Sequence, residues 1–374
     1  MLKIIFSFVI FIHGLIHLLG FVKEWNLASI NQLTGETLIP LSGWSSKIAG
    51  IFWLSGSLFF IASGIIYLFR KDWWWMIAVT AIIISQILII IYWKDAKIGT
   101  IANIFILIAS IFSYGTWSFN RMTQNEINSL SPKKETEKKI ITLEMINNLP
   151  PIIQKWLTRS NIIGKEIIQA AYLKQKGKMK TKPEGKWMSV DAEQYITIDP
   201  PGFIWVADVK SPPFLHLSGR DKYENGKGHM LIKLFSLIPV VNVSGKEIDQ
   251  GALLRFLGEI VWIPSAVLSD YIKWEEIDSL TAKATMSYGG ITASGIFRFD
   301  KNGDFVSFEA QRYYYRKEGS TLEKWVITAD KKYKEFEGIR VPVSLSVTWK
   351  FKTGDFTWYK VEITEIKYNK LKEK

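Results

Sequence analysis

The sequence predicts a two-part α plus α+β protein: a bundle of four transmembrane helices, then one large antiparallel β-sheet, curved or an open barrel, packed on a central helix. Three observations carry this. The first third holds four apolar stretches of spanning length, the chain after residue 168 alternates apolar and polar residues between tight-turn dipeptides, and one apolar helical stretch interrupts that alternation.

The apolar stretches run from Ile4 to Val22, Ile48 to Phe69, Trp74 to Trp93 and Ile98 to Trp117. The first is too long for a typical signal-peptide core and has no small-x-small cleavage pattern after it, so it reads as a retained helix. Trp73, Trp74, Trp75, Trp93 and Trp117 lie at span ends, where an aromatic belt belongs. The second span carries Gly50, Ser55, Gly56, Ser57, Ser63 and Gly64, small residues that let helices approach closely. Residues 1–118 therefore read as the transmembrane domain, 119–140 as a polar, flexible or partly helical linker containing Pro132, and 141–374 as a β-rich domain outside the bilayer.

Of the net charge of +12, the first 118 residues contribute +3, from seven Lys/Arg against four Asp/Glu, which leaves +9 for the rest. A basic domain beside a membrane favours anionic lipid head groups, and the same charge serves solubility. The basic residues form no tract of a nucleic-acid module, so nucleic acid is not an expected partner. Lys3, Arg70, Lys71, Arg121, Lys133, Lys134, Lys138 and Lys139 fall on one side of the bilayer, and Lys23, Lys47, Lys94 and Lys97 on the other. That distribution places the N-terminus and the β-rich domain in the cytoplasm of a multi-pass protein. The chain has no cysteine, which excludes disulfides, thiolate metal sites and thiol catalysis.

Inside the spans the polar residues are His13, His17, Gln86 and Asn103. They are functional candidates because polar groups are costly in lipid. His13 and His17 share a helix face, a spacing that can bind metal. No Asp, Glu or Cys lies within the spans to complete a site, so no metal or cofactor is assigned. A small-molecule or proton site, and plain hydrogen bonding within the bundle, are the other readings.

In the β-rich domain, Asn148 before Pro150 and Pro151 is a candidate N-cap for a short helix carrying Ile152, Ile153, Trp156 and Leu157. Strands are expected at 171–180, 191–198, 203–209, 222–223, 228–234, 281–288, 291–299, 305–315, 324–336, 343–351 and 356–368. Asn225-Gly226, Gly289-Gly290, Asn302-Gly303 and Thr353-Gly354-Asp355 mark hairpin turns. Lys246 to Trp262 is a helix ended by Pro264, with Leu253, Phe256, Leu257 and Ile260 on one face, laid against the concave side of the sheet. A sheet wrapped on a helix resembles the plan of lipoprotein-carrier folds, an analogy of fold only.

Motifs of known chemistry are missing. Gly219 to Lys227 lacks P-loop spacing, Asp300 to Asp304 lacks the glycine and closing Glu of a calcium loop, and His216 and His229 read as structural. Polar residues in apolar surroundings remain. Arg255 and Glu259, four apart on the helix, can pair, and Asp249, Gln250, Trp262 and the Arg220-Asp221 pair complete the candidate ligand-binding set. Such a network is either a structural clamp or the polar end of a pocket.

Leu149-Pro-Pro-x-x-Gln154, Asp199-Pro-Pro-Gly-Phe203-x-Trp205, Leu217-Ser-Gly-Arg-Asp221, Asp249-Gln-Gly-Ala-Leu-Leu-Arg255, Trp262-x-Pro264 and Glu309-Ala-x-Arg-Tyr313 resemble an uncharacterised bacterial family of membrane-anchored proteins. That family is a domain of unknown function, it covers about residues 149–369, and it implies no catalytic role. Three functions stay open. The first is binding of a lipid or other apolar molecule between the sheet and the 246–262 helix. The second is a membrane-associated enzyme using the carboxylate/Arg cluster. The third is a sensor or partner-binding module coupled to a functional bundle. Beyond the bilayer and such a ligand, no protein partner is implied.

Overall fold

The computed structural model describes residues 2–31, 33–130, 139–211, 215–316 and 319–371. The lysines at 133, 134 and 138 and Pro132 of the expected linker lie outside the described residues, as do residues 212–214. The chain forms two compact units, Met1–Arg121 and Met122–Lys374.

In the first unit four helices are long and apolar enough to cross a membrane: α1 (Leu2–Glu24), α2 (Trp44–Leu68), α3 (Trp74–Ile91) and α5 (Gly99–Ser129). A single turn, α4 (Trp93–Ala96), links α3 to α5. Outward-facing Ile4, Phe8, Ile51, Ile83 and Phe105 are exposed, a surface that suits hydrocarbon rather than water. The small residues of α2 do the packing: Gly50, Gly56, Ser57, Ser63 and Gly64 are buried. A Cβ on Gly64 would come within 2.9 Å of the Phe11 ring of α1. The polar segment after Trp117 is helical as far as Ser129, so α5 takes up the first half of the expected linker.

The second unit begins with two short helices, α6 (Leu143–Ile146) and α7 (Pro151–Arg159). Asn148 does not cap α7. Pro150 precedes the helix, Pro151 occupies its first turn where no N–H is needed, and no side chain caps it. Fifteen strands follow in chain order: β1 (Ala170–Met179), β2 (Met188–Thr197), β3 (Gly202–Ser211), β4 (Leu215–Glu224), β5 (Lys227–Leu234), β6 (Ile238–Ser244), β7 (Ile272–Asp278), β8 (Thr281–Tyr288), β9 (Ile291–Phe299), β10 (Phe305–Arg316), β11 (Gly319–Ala329), β12 (Tyr333–Phe336), β13 (Ile339–Pro342), β14 (Ser344–Phe351) and β15 (Gly354–Tyr368). Thirteen of them make one antiparallel sheet in the order β6-β5-β4-β3-β2-β1-β15-β14-β11-β10-β9-β8-β7, and β12 and β13 form a separate hairpin.

The differences from expectation have local causes. The two unforeseen strands of the large sheet, β6 and β7, are its edges. Pro239 and the Glu275-Glu276 run obscure their alternation, and both kinds of residue are tolerated at an edge. The expected 324–336 strand breaks at Asp330–Lys332, where Lys331 takes a positive φ of 55°. β4 is ten residues rather than two, because charged residues on it serve both faces of the sheet.

The sheet curves into a half-barrel around α8 (Lys246–Glu259), which continues as a 3-10 turn to Trp262. α8 touches β4, β5 and β6 on one flank and β8, β9 and β10 on the other, so it is buried almost all round. The β4/β5 and β8/β9 turns meet. Asn225-Gly226 and Gly289-Gly290 all have positive φ, and a Cβ on Gly226 would lie 2.6 Å from the Gly289 Cα. Ala252, Leu253, Phe256 and Leu257 join Ala284, Met286, Phe297, Phe308 and Ile327 in one core. A smaller cluster on the sheet's other face holds Ile127, Leu130, Tyr172, Tyr195 and Ile204.

The helix sits close to β5. A Cβ on Gly228 would lie 2.6 Å from the Ile248 carbonyl oxygen, whereas one on Gly219 would meet nothing closer than 3.6 Å. Gly228→Ala should therefore destabilise the protein by about 2 kcal/mol. Gly219→Ala should be neutral, or stabilising by up to about 1 kcal/mol. Chemical denaturation of the full chain in neutral detergent checks the pair, and equal effects would contradict this packing.

Candidate functional site

Successive residues of a strand face opposite sides of the sheet, and β4 uses both. Asp221 points to the concave side and Arg220 to the convex side. On the concave side, Arg255 of α8 donates from Nε to Glu259 Oε1 at 2.8 Å and from Nη1 to Asp221 Oδ2 at 2.6 Å. Gln194 of β2 donates to the other Glu259 oxygen at 2.6 Å and accepts from Gln175 of β1 at 2.7 Å. Trp205 Nε1 donates to Gln175 at 3.0 Å. The Arg255 guanidinium also lies over the rings of Phe203 and Trp205, at 4.8 and 5.2 Å. Burial works against its charge, but Glu259 and Asp221 outweigh burial and hold its pKa above the ordinary arginine value.

One further cation faces this cluster. Arg312 of β10 is half-buried, and its guanidinium lies 4.6 Å from the Trp325 ring and 5.9 Å from that of Trp349. It forms no hydrogen bond or ion pair with any described residue. Gly251 of α8 makes room for it: a Cβ there would come within 3.1 Å of Arg312 Nε. Burial pushes the Arg312 pKa down to about 10. Asp221 and Glu259 oppose the shift and Arg255 adds to it, so the group stays cationic at neutral pH.

The other residues singled out in the sequence do not join this cluster. Arg220, 2% exposed, faces the convex side and pairs with Glu126 near the end of α5, Nε to Oε2 at 2.9 Å. It also donates to the His229 carbonyl at 2.7 Å. Burial lowers its pKa, and Glu126 and Asp221 work in the other direction. Asp249 ties the start of α8 to β5 by accepting from Gly228 N at 2.8 Å and Lys227 Nζ at 3.0 Å. Gln250 Oε1 is buried and makes no hydrogen bond among the described residues. Trp262 donates to the Pro342 carbonyl at 3.0 Å and is part of the core. Arg312 stands within the Glu309–Tyr313 motif, but nothing local marks it off from the other strand arginines.

In the first unit the four polar residues converge. His13 Nε2 lies 2.9 Å from Asn103 Oδ1, and Asn103 Nδ2 donates to Ser85 Oγ at 3.0 Å and Gln86 Oε1 at 3.1 Å. His17 Nδ1 lies 2.7 Å from the His13 carbonyl oxygen, which places that nitrogen's proton between them. A cavity of about 270 Å³ beside these rings is lined by His13, His17, Lys23, Trp53, Tyr92 and Asp95 among others. Among the described residues, no group of three or more His, Asp or Glu is placed to hold a metal.

Fold and site together define a class: apolar helices of spanning length joined to a half-barrel sheet that encloses a charged helix. The sequence matches the family of unknown function DUF6920 over residues 147–368, more than half of the chain, and the protein belongs to that family. No curated protein matches it. Two solved structures are similar. A DUF1329 family protein from Desulfovibrio piger has 13% identity over 58% of this chain and 92% of its own, with a TM-score of 0.31. A putative outer membrane lipoprotein-sorting protein domain from Vibrio parahaemolyticus has 11% identity over 62% of this chain and 94% of its own, with a TM-score of 0.26. Neither likeness is close enough to carry a function over.

The two concave arginines should respond differently to truncation. Arg255→Met strands two buried carboxylates and should cost about 3 kcal/mol. Arg312→Met removes a cation that bonds to no described residue and forfeits only its stacking, so stability should change by less than about 1 kcal/mol. Thermal unfolding of the two variants measures this, and equal losses would contradict it.

Proposed function

We propose that the β-rich unit binds an apolar or amphiphilic molecule, such as a lipid, on the part of its concave face that α8 leaves open. The observation that carries this reading is a band of half-buried apolar side chains on that face. Met179, Leu217, Met230, Ile232, Tyr314 and Phe351 belong to β1, β4, β5, β10 and β14, and all keep accessible surface. At the same corner Leu215 and Ile238 are 41% and 59% exposed. A domain of this size has ample chain to cover such groups, so apolar surface held open in a concavity is a feature of ligand sites. The space directly between α8 and β9–β11 is not available. Gly258 sits so near Ile327 and Phe308 that a Cβ would come within 2.7 and 2.9 Å of them. The ligand therefore lies beside the helix rather than beneath it.

The concave cluster offers little to an enzyme. Asp221 and Glu259 are both engaged by Arg255, and Glu259 also by Gln194, which leaves no unpaired carboxylate to act as a base. With its apolar helices in the bilayer, the protein is a membrane protein whose ligand comes from, or goes to, that bilayer. The Lys/Arg distribution supports a cytoplasmic position for the β-rich unit.

Mass spectrometry of lipid extracted from full-length protein, purified in neutral detergent, tests the reading. We expect a stoichiometric apolar ligand. Leu217→Asp should reduce its retention about tenfold or more with little change in melting temperature, because the position is half-exposed. Wild-type protein that carries no lipid and takes none up would sink the proposal.

A second reading rests on the cavity beside His13 and His17, which makes the helical unit a ligand site of its own and the β-rich unit its sensor or partner-binding module. Ala102 lines that cavity. A bound small molecule displaced by Ala102→Phe, and untouched by Leu217→Asp, would favour this reading over the first.

A further inference from the structure

We propose that Arg312 receives the anionic head group, a carboxylate or phosphate, of an amphiphile whose apolar body lies on the concave face. This rests on the apolar-ligand reading and names the chemistry of the ligand.

Most charges around the concave face are already paired. Asp221 holds Arg255, and Glu259 is shared between Arg255 and Gln194. Asp249 is occupied by Lys227 and the Gly228 amide. On β10 itself, Glu309 faces the convex side and pairs with Arg298 and Lys324. The next arginine on the concave side of β10, Arg316, is paired with Glu323. Among the described residues Arg312 alone of these has no acceptor, although five N–H groups radiate from its guanidinium.

A cation taken partly out of water is a burden unless something compensates it. Burial and the neighbouring Arg255 lower its pKa, Asp221 and Glu259 attract it without bonding to it, and Glu323, opposite it in register on β11, is paired with Arg316. A residue present for packing alone would do better as Met or Leu. The guanidinium also has fixed neighbours: the rings of Trp325 and Trp349 lie 4.6 and 5.9 Å from it, and Gly251 leaves it room on the helix side. A planar fork stacked beside two indole rings, with no described acceptor for its donors, matches the two oxygens of a carboxylate or phosphate.

The surroundings show where the rest of the ligand goes. Two residues along β10 on the same face comes Tyr314, and two along β14 from Trp349 comes Phe351, with the rings 4.9 Å apart. Tyr314 also meets Trp349 edge-on at 5.0 Å. An aromatic strip therefore runs from the guanidinium along the strands, bounded at its far end by the Arg316 guanidinium, which lies 5.0 and 5.1 Å from the Tyr314 and Phe351 rings. A free inorganic anion would make no use of it, whereas the chain of an amphiphile would.

Equilibrium binding to the full-length protein in neutral detergent tests this with four radiolabelled probes: oleate, dioleoylphosphatidic acid, oleyl alcohol and inorganic phosphate. Wild type should bind at least one of the two anionic lipids more tightly than oleyl alcohol. Arg312→Gln should weaken that binding about tenfold or more while leaving oleyl alcohol unchanged. Arg312→Lys keeps a charge but loses the fork, so it should fold as wild type and weaken only the anionic probes. Comparing oleate with phosphatidic acid shows whether carboxylate or phosphate is preferred. If both variants bind the anionic lipids like wild type, the head-group assignment is wrong while the apolar-ligand reading stands. If wild type binds none of the three lipids, both fall. If phosphate alone binds through Arg312 and no lipid competes, the site is a free-anion site and the amphiphile is excluded.

Discussion

α8 imposes the constraint on which the second unit is built. It is enclosed on nearly every side by the curved sheet, yet it carries Arg255 and Glu259 in its last turns. A helix so placed cannot send these groups to water, so the sheet must bring polar partners to them. Asp221, Gln194, Gln175 and Trp205 come from four adjacent strands, β4, β2, β1 and β3, and form one connected network. Each partner occupies an inward register position, and a slip of one residue in any of these strands would turn it outward. The network therefore ties helix position to strand register, a specificity that close-packed apolar contacts supply less sharply.

The same alternation explains how one strand serves two purposes. β4 sends Asp221 inward to α8 and Arg220 outward to Glu126. Glu126 sits near the end of α5, with Lys222 as its second cation at 3.2 Å. Beside it Ile127 and Leu130 pack with Tyr172, Tyr195 and Ile204 on the convex face. The last turns of α5 are thus held to the sheet by a buried ion pair and an apolar patch together. Glu126 stands in a stretch whose polarity reads as linker, and only the convex-face register of β4 gives it a role.

Much of the fold was legible because its periodicities are local. β8 and β9 fall at the residues where alternation and flanking glycines place them, Thr281–Tyr288 and Ile291–Phe299. Legibility failed where a residue answers to something distant. Pro239 and Glu275 break the strand pattern because edge strands need not satisfy it, and β4 hides in a polar run because both of its faces meet charges from other elements. The site divides in the same way. The Arg255–Glu259 pair is visible as an i, i+4 spacing on one helix. Asp221 and Gln194 arrive through tertiary structure, and Arg220, adjacent to Asp221 in sequence, ends on the opposite face. Arg312 could not be read at all, because what distinguishes it is the want of an acceptor, a property of the folded neighbourhood.

Charge balance gives that want its meaning. The concave cluster holds two arginines and two carboxylates, neutral in sum, and four such groups could have paired two by two. Instead Arg255 takes both carboxylates, by Nε and by Nη1, and Arg312 is left to aromatic faces. Geometry enforces the division. Glu259 is one helical turn from Arg255, and Asp221 lies opposite α8 on β4, whereas Arg312 rises from β10 on the other flank of the helix. The result is a neutral cluster with a directional field: its negative charge is consumed on the β4 flank and its positive charge stands uncovered on the β10 flank. An anion entering along Tyr314 and Phe351 passes Arg316, which lies over those rings and is already paired with Glu323, and then meets the uncovered cation, half out of water, where the attraction is stronger than in solvent.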